Sequence, residues 1–358
     1  MRAALRPRRR ADRHLEAAGK CLMTAAAIVW FKFAICAGLI TYAGPALARY
    51  GDIIAEKTGL SRTWIGLVLL ATATSLPELF TGISAVTFAA APNIAVGNIL
   101  GACVINLAML VVLDTMTRGE TIYRRMDQGH ILSAAFAVIL IGFAGASVLV
   151  GRNEVHLELF HIGAYTPLFI SVYLVAMRSA FLFEQRKPPQ PPIHEEAEGM
   201  TLGTAIRWYI GAAAIIAGVG TWLPFIGTEM AEVMDLKTSF VGTLFIAAAT
   251  TLPEFVVTLS ALRLGALDLA IGNLLGSNLF NILILAIDDI AYLDGPLLSA
   301  VSPVHAVTAF AAVTMLGIVI VALLYRPTNR LWGTIGWVSL SLLTIYLLST
   351  FLVYLEGH

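Results

Sequence analysis

The feature that most limits how this chain can fold is a succession of about ten apolar stretches. Each is about 20 residues long, enough to cross a hydrocarbon core of about 30 Å as a helix. They fall at roughly 24–47, 64–90, 93–114, 130–150, 162–183, 202–226, 239–262, 267–292, 301–324 and 332–355. With 58% of 358 residues hydrophobic, 13% charged and a mean hydropathy of +0.82, the chain lacks the polar surface that a soluble domain of this size needs. A transmembrane barrel would show short segments of alternating polarity, and the sequence has none. The predicted fold class is an all-α polytopic membrane protein, with the lipid bilayer as its solvent and no nucleic-acid partner.

Net charge is zero, from 23 basic and 23 acidic residues, but the basic residues are unevenly placed. With ten spans, the loops after spans 1, 3, 5, 7 and 9 share one side. They carry Arg49, Lys57, Arg62, Arg118, Arg124, Arg125, Arg186, Lys187, Arg326 and Arg330. The opposite loops hold little more than Arg152 and Lys237. The positive-inside rule then predicts a cell-membrane protein with the first set cytoplasmic and both termini outside. Residues 1–22 work against this, because Arg2, Arg6, Arg8, Arg9, Arg10 and Arg13 would sit on a translocated tail. Either the tail overrides the loops or translation begins later, for example at Met23, and the later start is the expectation adopted. A signal peptide cleaved near Ala46-Leu47-Ala48 is the other reading of this region. Its apolar run is long for that role, and cleavage would leave nine spans where the symmetry below needs ten.

Cys21, Cys36 and Cys103 lie in or beside apolar segments without metal-type spacing, which implies neither a disulfide framework nor zinc. His156 and His161 flank Glu158 but miss the i, i+4 face of a metalloprotease helix, and the segment reads as a loop. No cofactor is expected.

The chain contains two copies of one half. At an offset of 176, Gly51, Ala55, Glu56, Leu60, Gly66 and Ala71 meet Gly227, Ala231, Glu232, Leu236, Gly242 and Ala247. Ala73-Thr74-Ser75-Leu76-Pro77-Glu78 then meets Ala249-Thr250-Thr251-Leu252-Pro253-Glu254. One residue is lost in the following loop. Gly97-Asn98-Ile99-Leu100-Gly101 meets Gly272-Asn273-Leu274-Leu275-Gly276, and Asn106 meets Asn281. Five spans separate equivalent points, and five is odd, so the second copy enters from the opposite face. Such inverted repeats place the ligand near the midplane, where the repeats meet. The predicted organisation is a basic tail over 1–22, a five-helix repeat over 23–183, a cytoplasmic linker over 184–200 and a second five-helix repeat over 201–358. Pro188-Pro189-Gln190-Pro191-Pro192 marks the linker as exposed and partly polyproline II.

Glu78 and Glu254 fall midway along apolar spans, where a carboxylate costs at least a few kcal/mol and marks an ion or proton path. Each directly follows a proline. Pro77 and Pro253 have no N–H and push away the carbonyl four residues back, which loosens backbone oxygens around Ala71–Ala73 and Ala247–Ala249. Hydroxyls of Thr74, Ser75, Thr250 and Thr251 lie within one turn of the glutamates. Each half offers carboxylate, hydroxyl and carbonyl oxygen, with no nitrogen or sulfur donor. That is the chemistry of a hard cation, suiting Ca2+ with its six to eight oxygens. Asn106 and Asn281 each follow their G-x-x-x-G by five residues and are assigned to the site, together with Ser277. The glycines of these motifs are assigned to close helix packing.

On these residues the chain resembles the calcium/cation antiporter superfamily, which includes the prokaryotic sodium/calcium exchangers. The resemblance covers roughly 51–114 and 227–292 and rests on Ala73–Glu78, Ala249–Glu254 and Gly272-Asn273-x-x-Gly276-Ser277-Asn278-x-x-Asn281. It implies that spans 2, 3, 7 and 8 build a cluster of cation sites, while spans 1 and 6 slide against that core to alternate access. The ligands it implies are Thr74, Ser75, Glu78, Asn106, Thr250, Thr251, Glu254, Ser277 and Asn281, with carbonyls from Ala71 and Ala247. Three positions depart from the family. Gly101-Ala102-Cys103 stands where Gly-Ser-Asn is usual, so a hydroxyl is missing at Ala102; Thr251 replaces a serine; and Asn281 is aspartate in some members.

Two carboxylates neutralise one Ca2+, whereas three Na+ would leave one positive charge in excess. Exchange of Ca2+ for Na+ would therefore move net charge, and loss of the Ala102 hydroxyl is expected to weaken one sodium site. Exchange of Ca2+ for H+ is the rival within transport, and a passive channel the rival outside it. An intramembrane hydrolase would need a nucleophile–base pair or histidine ligands beside the motif, which are absent from the sequence. Asp288, Asp289 and Asp294 are expected to be solvated interfacial acids rather than an outer cation vestibule. Glu229 and Glu232, at the end of span 6, are expected to be solvated too.

Overall fold

The computed structural model of the chain describes residues 6–58, 70–117, 120–151, 158–184, 200–328, 330–331 and 335–356. Outside the described residues lie Arg2, Arg62, Arg118, Arg152, His156, Arg186, Lys187, the start of the second apolar stretch and most of the linker, with its proline run.

The first half comprises α1 (Arg6–Thr58), α2 (Ala71–Thr74), α3 (Leu76–Thr87), α4 (Pro92–Met116), α5 (Ile122–Arg125), α6 (His130–Val150) and α7 (Tyr165–Glu184). The second comprises α8 (Leu202–Met234), α9 (Thr238–Val241), a π-helical turn (Gly242–Ile246), α10 (Ala247–Thr250), α11 (Leu252–Arg263), α12 (Leu267–Ala291), α13 (Val304–Tyr325) and α14 (Trp337–Leu355). Among the described residues, eight helices are long and apolar enough to cross a membrane unbroken. The segments Thr238–Thr250 and Leu252–Arg263 make a ninth span, bent by 44°. Its counterpart, α2 with α3, is described only from residue 70.

Boundaries differ from expectation where local chemistry overrides hydropathy. The helix α1 runs well beyond 24–47, through Ala46–Ala48, and α8 continues to Met234, where Asp235 takes a left-handed conformation (φ 54°). The fifth and tenth spans start later than expected. The residues before them form antiparallel pairs, β1 (Glu158–Leu159) with β2 (Ile162–Gly163) and β3 (Arg330–Leu331) with β4 (Ile335–Gly336). The loop expected around Glu158 and His161 is thus a tight hairpin.

The helices α4 and α12 are buried along most of their length and form the centre, while α1, α7 and α14 are peripheral. A long interface joins α1 to α8, and this pair lies against the broken spans. A half-buried ion pair crosses it, Lys32 Nζ to Glu229 Oε2 at 2.7 Å, so Glu229 is not the free solvated acid expected; Glu232 is exposed as expected.

The halves grip each other reciprocally. Asp114, at the end of α4, accepts from Ile122 N (3.1 Å) in its own half and from Ser339 Oγ (2.7 Å) and Gly336 N (3.4 Å) in the other. Asp289, at the end of α12, accepts from Leu297 N (2.8 Å) in its own half and from Gly163 N (2.9 Å), Tyr165 Oη (2.5 Å) and Thr166 Oγ1 (2.5 Å) across the repeat. Two histidines repeat the theme, His130 Nε2 with Asp268 Oδ1 and His305 Nε2 with Asn93 Oδ1, each at 3.1 Å. Asp288 and Asp289 are therefore not solvated interfacial acids. Both are fully buried.

Candidate cation site

Both glutamates lie where a transmembrane helix breaks. Ser75 (φ −91°, ψ 11°) separates α2 from α3, and Thr251 (φ −79°, ψ 3°) separates α10 from α11, with Pro77 and Pro253 in the first turns that follow. A proline is tolerated in a first turn because its missing N–H would have been unpaired there. Glu78 and Glu254 follow directly, facing the partner repeat.

Each carboxylate meets hydroxyls of the other half. Ser75 Oγ donates to Glu254 Oε1 at 2.9 Å, and Thr74 also approaches Glu254. Glu78 lies against Thr250, and the two carboxylates are close enough to repel. Thr74 Oγ1 is 3.4 Å from Asn273 Oδ1, and Thr250 Oγ1 donates to Asn98 Oδ1 at 2.9 Å. Asn98 and Asn273 thus hold the threonines from behind. Asn106 Nδ2 donates to Asn278 Oδ1 at 3.0 Å, and Asn281 Nδ2 points at Cys103 Sγ, 3.8 Å away. Using its N–H groups in this way leaves each asparagine's carbonyl oxygen free.

The expected loosening of backbone carbonyls needs a correction. Ala71 O still accepts from Ser75 N (3.1 Å) and Ala247 O from Thr251 N (3.0 Å), so neither has left the helical ladder. A proline removes the donor for the carbonyl four residues back, which is Ala73 before Pro77 and Ala249 before Pro253. Ala71 and Ala247 can ligate only through a second lone pair, which their threonine neighbours also approach.

Glycines bring the elements this close. Gly97 and Gly101 of α4 press on the backbone of the π-helical turn, and a Cβ at Gly97 would lie 2.9 Å from Thr243 N. Gly44 of α1 abuts Pro253, while Gly220 of α8, offset by 176, abuts Phe80 and the carbonyl of Pro77.

Six oxygens of the assigned residues are buried without a hydrogen-bond partner: Glu78 Oε1 and Oε2, Glu254 Oε2, Asn106 Oδ1, Asn281 Oδ1 and Ser277 Oγ. A buried polar atom without a partner costs about 1–3 kcal/mol, more if charged. Three of the six belong to the two glutamates, so a ligand supplying positive charge would relieve that cost. Two carboxylates and neutral oxygens suit a hard cation. The position of Ser277 is taken in the other half by Ala102, which is buried and brings no oxygen.

A profile of the family described as sodium/calcium exchanger protein matches residues 28–183 and 204–355, covering both repeats. The chain belongs to that family. It is 27% identical over 336 residues to the sodium/calcium exchanger MaX1 of Methanosarcina acetivorans, covering 86% of this chain and 92% of the relative. A structure of the sodium-calcium exchanger NCX_Mj superposes with a TM-score of 0.59 at 18% identity, covering 90% of this chain and 98% of that one. The crystal structure of the H+/Ca2+ exchanger CAX superposes with a TM-score of 0.69 at 12% identity, covering 92% and 85%. These superpositions establish an all-α exchanger fold for the family member described here.

Proposed function

We propose that this protein carries Ca2+ across the cell membrane in exchange for Na+, by alternating access to a site at the repeat interface. Glu78 and Glu254 supply the charge that balances Ca2+. Thr74, Ser75, Thr250, Thr251, Asn106, Ser277 and Asn281, with the carbonyls of Ala71 and Ala247, supply neutral oxygens. The observation that carries this reading is the set of six buried, unpartnered oxygens, three of them on the two glutamate carboxylates that solvent does not reach. Membership of the exchanger family supports it. The pair α1 and α8, resting on the broken spans through Gly44 and Gly220, is the natural moving unit. The distribution of basic residues among the loops supports a cytoplasmic linker and termini on the outer side.

One observation favours H+ as the counter-ion. The missing oxygen at Ala102 leaves one half a poorer Na+ ligand set, whereas a proton needs only one carboxylate oxygen.

Radiolabelled Ca2+ uptake into proteoliposomes, driven by Na+ or H+ gradients, tests both couplings. Glu254→Gln is expected to reduce flux to background while leaving the purified protein monodisperse. Wild-type flux in that variant would remove Glu254 from the mechanism.

A further inference from the structure

One buried acid is left unused by this site. Asp288 of α12 is fully buried, and among the described residues no N–H or O–H donor reaches either of its carboxylate oxygens. It occupies a space made by Gly82 of α3, where a methyl group would overlap Oδ2. Gly82 is one turn beyond Glu78 on α3, and Asp288 is two turns beyond Asn281 on α12. Residues so spaced share a helix face. Asp288 therefore lies along the same α3–α12 interface as the central site, roughly 6–10 Å nearer the ends at Thr87 and Ala291.

Packing alone does not require an acid here. By the repeat, Asp288 corresponds to Leu113 and Gly82 to Thr258, so the other half fills the equivalent place with a buried leucine. The elements around α12 offer no neutralising cation either. Their ionisable groups are Glu78 on α3, Glu254 and Arg263 on α11, Cys103 and Asp114 on α4, His130 on α6, and Tyr165, Tyr173, Arg178 and Glu184 on α7. His130 is bound to Asp268, twenty residues away along α12, Arg263 is exposed near that same end, Arg178 is exposed thirteen residues along α7 from Tyr165, and Tyr165 donates to Asp289. An ionised carboxylate in such a place, unpaired and unsolvated, is prohibitively costly. Its neutralising charge must come from solution. Na+ would need several further oxygen ligands, and a proton needs none.

We propose that Asp288 is a proton site on one access route, filled when that route closes. The carboxylate takes one proton from the water on its own face during closure and returns it to the same water on reopening, so no proton crosses the membrane. This rests on the Ca2+ transport proposed above, because the closed route is the one leading to Glu78 and Glu254.

The test is radiolabelled Ca2+ uptake with equal pH on both sides of the vesicle, from about pH 5 to pH 10, in wild type, Asp288→Asn and Asp288→Leu. Wild-type flux is expected to fall on the alkaline side by up to about tenfold per pH unit, the limit for one proton. Both uncharged variants are expected to lose that alkaline fall while keeping the wild-type rate below it. An unchanged alkaline limb in both would overturn the proposal. So would loss of flux at every pH in folded variants, which would make Asp288 an ionised ligand, or a change confined to Na+ dependence, which would assign the site to Na+. Glu254→Gln, run alongside, reports separately on the central site, because its failure to abolish flux would leave the Asp288 limb measurable.

Discussion

At the residue scale, what distinguishes the site is where its hydrogen-bond donors are used. Asn106 and Asn281 turn their amide N–H groups to Asn278 and Cys103 and leave their oxygens unpartnered. Ala102, opposite Ser277, is one inequality between the repeats. Restoring the hydroxyl with Ala102→Ser is expected to lower the Na+ concentration for half-maximal exchange roughly threefold to tenfold, as about 1 kcal/mol of added ligation implies. A Na+ titration of Ca2+ flux would read this, and an unchanged midpoint would show that the missing oxygen does not limit Na+ binding. The glutamates, the hydroxyls and the two asparagines were legible in the sequence because an acid after a proline inside an apolar span has few structural explanations, and because the motif occurs twice. Asp288 was not. Its sequence position is that of a helix-end acid, and only the space left by Gly82 shows that it points inward.

At the element scale, two broken spans and two long helices divide the work. The breaks at Ser75 and Thr251 hold the carboxylates, while α1 and α8, tied by Lys32 and Glu229, bear on them through one glycine each. Added methyl groups at such contacts force shifts costing about 1–3 kcal/mol. Gly44→Ala and Gly220→Ala are therefore expected to slow Ca2+ flux several-fold while leaving equilibrium Ca2+ binding close to wild type. Binding by calorimetry and flux in vesicles, measured on the same preparation, separate the two effects; equal loss of both would place these glycines in the site rather than in its movement. Helix existence could be read from hydropathy, yet helix ends could not. The fifth and tenth spans begin late because the first residues of those apolar stretches pair in β-hairpins instead of joining the helix, and α1 and α8 overshoot because helical hydrogen bonding continues where hydrophobicity fades.

At the scale of the whole molecule, the two halves are related by sequence and joined by acids. Ile162-Gly163 and Ile335-Gly336 are equivalent hairpin ends, and Asp289 and Asp114 each hold the one from the other half. A hydrogen bond to a charged group contributes about 1.5–3 kcal/mol. Asp289→Asn, which weakens four such bonds, is expected to lower Tm in detergent by several degrees, and Asp114→Asn by less. Because the two acids sit at opposite ends of the central helices, the double variant is expected to show the sum of the two losses. A loss well short of that sum would mean that releasing one hairpin already releases the other. The repeat that predicts two halves was visible in the sequence, but this mutual hold was not, since Asp114 and Asp289 lie past the last motif position and look like ordinary loop-proximal acids.

That mutual hold has a bearing on biosynthesis. When the first five helices have left the ribosome, Asp114 still lacks Gly336 and Ser339, which arrive with the final helix, and the hairpin at Gly163 still lacks Asp289. The early half must wait in the membrane, incomplete, until the late half is threaded in beside it. Two separately expressed fragments should consequently find each other only when made together.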